Sequence, residues 1–283
     1  MKSVVITGVS SGIGWGATKV LIGKGFRVFG SVRKTEDGER LKKEFGNNFV
    51  PLLFDVTDEP AIKRAAEEVR AALKGEKLFG LVNNAGIAVS GPLLDLNVDD
   101  FRQQMEVNVT GPFLVTQSFA PLLGADRSLK GEPGRIVNIS SVGGKQAAPF
   151  VGPYSASKFA LEGMSESLRR ELMLFGIDVI IIGPGAVKTL IWDKAEQVDI
   201  TPYANSAYYP SLVKFRDYFL ASGKTGLEPE QLGRAILKAL TAENPKVRYA
   251  VLRGKLTNWT IPQRLPKRFL DRTIGKAVGL IEK

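Results

Sequence analysis

The 283-residue chain contains no cysteine and no histidine. Without cysteine there can be no disulfide framework, thiol nucleophile or thiolate metal site. Without histidine the usual general base and the commonest metal ligand are missing, so acid–base chemistry falls to Tyr, Lys, Asp or Glu, and no metal site is expected. No apolar stretch reaches the length of a membrane span. A strand-like run starting at Ser3 leaves no room for a secretory leader, and a cytoplasmic location is the resulting expectation. Internal repeats, low-complexity tracts and nucleic-acid motifs are also lacking. Charge is uneven: 39 Lys and Arg against 29 Asp and Glu give a formal +10. Such a surface attracts anionic cofactors, nucleic acid or anionic lipid, or is simply solvated.

What the chain does have is organised around residues 141–158, SVGGKQAAPFVGPYSASK. Tyr154 and Lys158 stand four apart at the head of a strongly helical run, a spacing that puts both on one face. A free tyrosine has a pKa of about 10. A neighbouring lysine cation favours the phenolate, and a tyrosine brought to about 7–8 can exchange a proton with an alcohol oxygen near neutrality. Ser141 lies thirteen residues before Tyr154, after an apolar run. Its hydroxyl could hold the same oxygen while charge develops.

Upstream, residues 3–7 read as a buried strand passing straight into Gly8-Val9-Ser10-Ser11-Gly12-Ile13-Gly14 and a helical pattern over 15–24. Strand, glycine turn and helix open a dinucleotide-binding unit. Gly8 permits the tight turn, Gly12 the approach of a pyrophosphate and Gly14 close helix–strand packing, with the helix N-terminus facing the phosphates. Further strands are read at 25–31, 48–54, 78–82, 135–139, 177–182 and 248–252, and helices at 59–73, 98–122, 154–175 and 228–240. This alternation predicts an α/β fold with a doubly wound parallel sheet. After the second strand come Val32, Arg33 and Lys34, with no acid before Glu36. A basic residue here suits a 2′-phosphate, an acid a 2′-hydroxyl. Residues 189–226 carry seven aromatics, including Trp192, Tyr203, Tyr208 and Phe215, which suit a core stripe or a substrate lid equally. The tail from 253 holds eight Lys and Arg against two acids. Its basic amphipathic pattern fits packing on its own domain first and contact with a membrane surface second.

The pieces TGVSSGIG, Asp55-Val56, NNAG at 83–86, NVTG at 108–111, Ser141, YSASK at 154–158 and PGAVKT at 184–189 resemble the short-chain dehydrogenase/reductase family, in its non-extended branch. The segment around Tyr154 is similar to the hydroxysteroid and retinol dehydrogenases. The resemblance implies a single catalytic Rossmann-type domain over 1–252 with a substrate loop at 189–226. It also implies a tetrad of Asn108, Ser141, Tyr154 and Lys158. Tyr154 would be the acid/base and Ser141 would orient the carbonyl. Lys158 would hold the nicotinamide ribose, and Asn108 would bind a relay water. Gly8, Ser10, Ser11, Gly12, Ile13 and Gly14 would receive the phosphates. Asp55 and Val56 would meet the adenine, and Asn83, Ala85 and Gly86 the ribose. Val187 and Thr189, on the loop opened by Pro184 and Gly185, would meet the nicotinamide amide. The implied activity is NADP(H)-dependent interconversion of a carbonyl and an alcohol on an apolar substrate (steroid, retinoid, terpenoid or aryl ketone). The alternative is a non-catalytic NADP(H)-sensing protein. A homodimer or homotetramer is expected, and no nucleic-acid partner.

Overall fold

In the computed structural model, which describes residues 1–281, the short apolar runs become seven strands of one sheet. They are β1 (Ser3–Ile6), β2 (Arg27–Val32), β3 (Phe49–Leu53), β4 (Gly80–Asn83), β5 (Arg135–Ile139), β6 (Asp178–Pro184) and β7 (Arg248–Val251). All pair in parallel in the order β3-β2-β1-β4-β5-β6-β7. The winding reverses between β1 and β4, where a sheet of this type opens a crevice at its carboxyl edge.

Side-chain alternation along each strand assigns the two layers. Val4 and Ile6 join the core beneath α1 (Gly12–Ile22) and α9 (Pro229–Thr241), whereas Val5 joins that beneath α3 (Glu59–Leu73) and α5 (Gly111–Ala120). Helices α1 and α9 cross with almost no space between them. A Cβ on Gly16 would fall 2.5 Å from the carbonyl carbon of Pro229, and one on Gly233 would fall 2.6 Å from the Gly16 carbonyl oxygen.

The structure departs from the sequence expectation at three places. Residues Thr35–Phe45 form a helix, α2, that the sequence reading did not anticipate. The single helix expected at 98–122 is α4 (Val98–Met105) and α5, joined by a wide five-residue turn, Glu106–Thr110, with i→i+5 bonding. The aromatic loop contains two helices, α7 (Ile191–Glu196) and α8 (Tyr209–Lys224).

After α6 (Gly152–Glu171), β6 and β7, the chain ends in α10 (Lys267–Val278), which returns to pack on α8. Val278 is buried with Leu212 and Phe215, and the Ser211 hydroxyl donates to the Gly279 carbonyl at 2.9 Å. Phe269, Leu280 and Ile281 stay exposed. Among the described residues no helix is long and apolar enough to cross a membrane.

Candidate active site

The glycine turn after β1 adopts backbone that side chains resist. Gly8 has φ 68° and Gly12 φ 59°, in the left-handed region that glycine enters freely. Gly14 is fixed by space: a Cβ there would lie 2.2 Å from the Gly8 carbonyl oxygen and 2.6 Å from Asn84 Nδ2. The turn is stapled from both sides. Asn84 Nδ2 donates to the carbonyls of Thr7 and Gly8 at 2.8 and 3.0 Å, and the Gly8 N–H donates to Ser31 Oγ at 2.9 Å. The Thr7 hydroxyl accepts from the backbone N–H groups of Asn84 and Ala85 at 2.9 and 3.0 Å. Asn84 and Thr7 lie inside motifs already recognised, but their stapling role needed the fold to be seen.

Ser11 stands at the N-cap of α1 without spending its hydroxyl on a cap, and the first turn holds no acid. The positive end of that helix is therefore unopposed. A pyrophosphate fits this cradle, which lacks Cβ atoms at the required positions. Ser10 and Ile13 lie on the same turn, and Thr189 closes over it with its methyl 3.0 Å from where a Gly12 Cβ would sit.

At the end of β2, Arg33 and Lys34 are exposed. Arg33 Nη1 lies 3.7 Å from Asp55 Oδ2. An exposed pair of this kind holds weakly, so the guanidinium is free to turn to another anion. The structure adds a third cation, Arg40 on α2, which donates to the Ser10 carbonyl at 2.7 Å. Val32 belongs to β2 and is buried against Gly38, so it faces α2 and not a nucleotide.

Other side chains on the expected cofactor edge also turn inward. Asn83 is buried and donates to Thr116 Oγ1 and Asn138 Oδ1 at 3.1 and 2.8 Å. Val56 is buried in the α3/α5 core, against Gly111. Both can meet a ligand through backbone only. Val187 is buried, and its carbonyl accepts from Trp192 Nε1 at 2.6 Å. Gly185 continues the sheet, its N–H donating to the Val251 carbonyl at 3.0 Å, and Pro184 ends β6.

At the other end of the candidate site, α6 opens with Gly152-Pro153, a proline at a position where its missing N–H costs nothing. Tyr154 is half-buried in its first turn and Lys158 fully buried one turn on. Lys158 Nζ donates to the Ile139 carbonyl at 2.9 Å and lies 5.7 Å from the Tyr154 ring centre. Burial pushes the lysine down to about 8, with the Glu162 carboxylate pulling it back. Burial also pushes the Tyr154 phenol above its ordinary value, against the Ser141 hydroxyl, which lowers it.

Burial therefore outweighs any lowering of the tyrosine by its lysine neighbour in the free protein. The ammonium is aimed at a backbone carbonyl, and burial weakens its hold on its proton while leaving it charged near neutrality. A phenol kept protonated is a proton donor.

Ser141 Oγ accepts from the Gly143 N–H at 2.9 Å. It and Tyr154 Cε1 flank the same point, 3.3 and 3.5 Å from where a Gly143 Cβ would be. Ser140 faces elsewhere: its Oγ is buried without a partner, 2.6 Å from a Gly144 Cβ position. Asn108, in the wide turn, is buried. Its Oδ1 accepts from the Ile87 N–H at 2.9 Å, while Nδ2 donates to the Ile87 carbonyl and Ser157 Oγ at 3.0 and 3.1 Å. Its amide is thus committed to protein partners. Gly86 lies at the meeting point, its Cβ position 3.1 Å from Asn108 Oδ1 and 3.8 Å from Lys158 Nζ.

Tyr154 packs against a buried apolar cluster that includes Phe150, Val151, Leu212 and Phe215, joined by Tyr203 and Tyr208. Phe150 has φ 61°, a strained value for a bulky residue, held by edge contacts with Phe215 and Tyr208 at 5.6 and 6.3 Å between ring centres.

Comparison with known proteins agrees with this geometry. The model of the short chain dehydrogenase family matches residues 2–199. An NADPH-dependent 3-dehydrocapnine reductase of Ornithobacterium rhinotracheale is 40% identical over 276 residues, covering 98% of this chain and 97% of the relative. Human retinol dehydrogenase 5 is 35% identical over 284 residues, covering 96% and 87%. A crystal structure of a short-chain dehydrogenase from Streptomyces avermitilis superposes with a TM-score of 0.76 at 27% identity, covering 100% and 98% of the two chains. A seven-stranded parallel sheet wound with helices on both faces, a glycine cradle at its first turn and Ser141, Tyr154 and Lys158 gathered at its carboxyl edge accompany these matches: the chain belongs to the short-chain dehydrogenase/reductase family of oxidoreductases.

Proposed function

We propose that the protein is an NADP(H)-dependent carbonyl reductase, equally an alcohol dehydrogenase in the reverse direction, that acts on an apolar ketone or aldehyde. The observation that carries this reading is the Tyr154 phenol beside the Ser141 hydroxyl and one turn from a buried Lys158. The bound nicotinamide supplies the hydride. The chain supplies orientation and the proton. Ser141 Oγ–H donates to the carbonyl oxygen of the substrate, and Tyr154 Oη passes its proton to the same oxygen as negative charge grows there. Lys158, charged below a pKa of about 8, favours the resulting phenolate.

Preference for NADP(H) is supported by the absence of an acid at the end of β2 and by Arg33, Lys34 and Arg40 beside the glycine turn. It is also supported by the relative described as NADPH-dependent. An apolar substrate is supported by the aromatic cluster next to Tyr154. Consumption of NADPH against a panel of ketones and aldehydes tests the reading, with Tyr154→Phe as the control. The variant should lose about 10²–10⁴-fold in turnover while its NADPH fluorescence titration stays unchanged. Retention of more than about a tenth of the activity would remove Tyr154 from the acid/base role.

A further inference from the structure

Ser141 is aimed by something outside its own loop. Its backbone carbonyl accepts two hydrogen bonds, one from the Gly144 N–H at 3.1 Å and one from Arg248 Nη2 at 3.1 Å. Arg248 opens β7, opposite Ile181 of β6. Its guanidinium crosses the end of β6 because Gly183 has no side chain: a Cβ there would fall 2.4 Å from Nη2.

The same guanidinium clasps Glu162. Nε donates to Oε1 and Oε2 at 3.0 and 2.9 Å, and Nη2 lies 2.9 Å from Oε1. The Glu162 side chain is 3% exposed and that of Arg248 15%. Lys145 Nζ adds a second cation at 3.5 Å from Glu162. On its outer face Arg248 lies 4.5 Å from the ring centre of Trp259.

Stability alone is a weak reason for such a pair, since a buried ion pair is often replaceable by apolar side chains without loss. Direction is what a planar fork provides. Glu162 sits on α6, one turn after Lys158 and two after Tyr154. One guanidinium therefore joins the backbone of Ser141 to the helix that carries the other two reacting side chains.

We infer that Arg248 is a positioning residue: it sets Ser141 against Tyr154 and Lys158, and Trp259 keeps it in that pose. The link to turnover rests on the reductase reading above; the tether itself does not.

Arg248→Ala, Arg248→Lys and Trp259→Ala test it, each first checked for folding by thermal melting. A misplacement of about 1 Å costs on the order of 10²-fold, so Arg248→Ala should lose that much kcat while KM for NADPH moves by less than about threefold. Added guanidinium ion should recover about a tenth of the lost rate, because it refills the site between Glu162 and Ser141 with the same fork. Arg248→Lys keeps charge and bulk but lacks the fork, so its loss should fall between the wild type and Arg248→Ala; it also stands in should the alanine variant not fold. Trp259→Ala should shift kcat in the same direction by a smaller factor.

Hydrogen exchange of the amides in 142–146 is read in parallel. It should speed up in the Arg248 variants and not in residues 8–14. Unchanged kcat, equal losses in kcat and NADPH affinity, or a folded alanine variant that guanidinium does not rescue would overturn the inference. A wild type without turnover on any carbonyl would sink the reductase reading alone, and unchanged exchange over 142–146 would then overturn the tether.

Discussion

Burying Lys158 should leave a mark on stability that is measurable without any substrate. The side chain is held at about 8 in the folded chain against an ordinary 10.5, a displacement of about 2.5 pH units. At about 1.4 kcal/mol for each, the folded state disfavours the ammonium by roughly 3 kcal/mol. Between pH 8 and 10.5 the unfolded chain binds this proton and the folded chain does not, so stability rises with pH across that window. Read downward, the contribution is lost as pH falls through the folded value, and below it both states are protonated. Lys158→Met removes the titration and nearly keeps the shape. Wild type and variant would be unfolded in urea at a series of pH values, followed by the fluorescence of Trp15, Trp192 and Trp259. Titrating groups remote from Lys158 cancel in the difference between them. The wild type should gain roughly 3 kcal/mol on the variant from pH 7 to 10.5, with the absolute offset set by the Ile139 carbonyl that the variant leaves without its donor. A difference that does not change with pH, or one that moves against the wild type as pH rises, would refute the claim that burial governs this lysine.

Ser141→Ala should lose about 10²-fold or more in kcat, as expected for a lost donor to the reacting oxygen. Ser140→Ala, which only removes an unpartnered hydroxyl, should keep most of its turnover; equal losses would reverse the assignment. Arg33→Ala should erode the preference for NADPH over NADH in kcat/KM by about 10- to 150-fold, the worth of a hydrogen bond to a charged group. An unchanged ratio would hand the 2′-phosphate to Lys34 or Arg40. Gly14→Ala drives a methyl into the Gly8 carbonyl and should cost about 1–3 kcal/mol of overpacking, seen as a lower melting temperature and weaker NADPH binding together. Phe113, Phe159, Met173 and Leu174 are exposed on α5, α6 and the turn that follows. Light scattering should show a homodimer or homotetramer, and a monomer at micromolar concentration would leave those side chains unexplained.

Much of the architecture was legible because buried parallel strands are short β-branched runs and each is followed by glycine or a polar turn. Of the three helices that were not, two show why. Thr35–Phe45 is mostly charged, with Gly38 and Leu41 its only buried residues, too few for a periodic signal. In Tyr209–Lys224 the aromatics masked a helix whose buried Leu212 and Phe215 stand three apart. At the site, spacing told which side chains share a helix face but not where their tips go. Lys158 reaches the Ile139 carbonyl in preference to the Tyr154 oxygen, and Asn83 and Val56 turn inward. Arg40 and Arg248 were invisible for a different reason: their partners lie 30 and 107 residues away, and no local pattern connects them.

The place of Arg248 in the chain also bears on how unfinished copies fare. Synthesis runs from the N-terminus, so the glycine cradle and all of β1–β6 exist before the residue that clasps Glu162. A polypeptide that stops short of β7 lacks the guanidinium that clasps Glu162 and leaves that carboxylate with Lys145 as its remaining cation partner. Removing one partner of a buried ion pair costs about 3–5 kcal/mol, a large share of the roughly 5–15 kcal/mol that holds a folded protein together. Incomplete chains should therefore be selectively fragile and cleared by proteases before they accumulate as inert competitors for nucleotide.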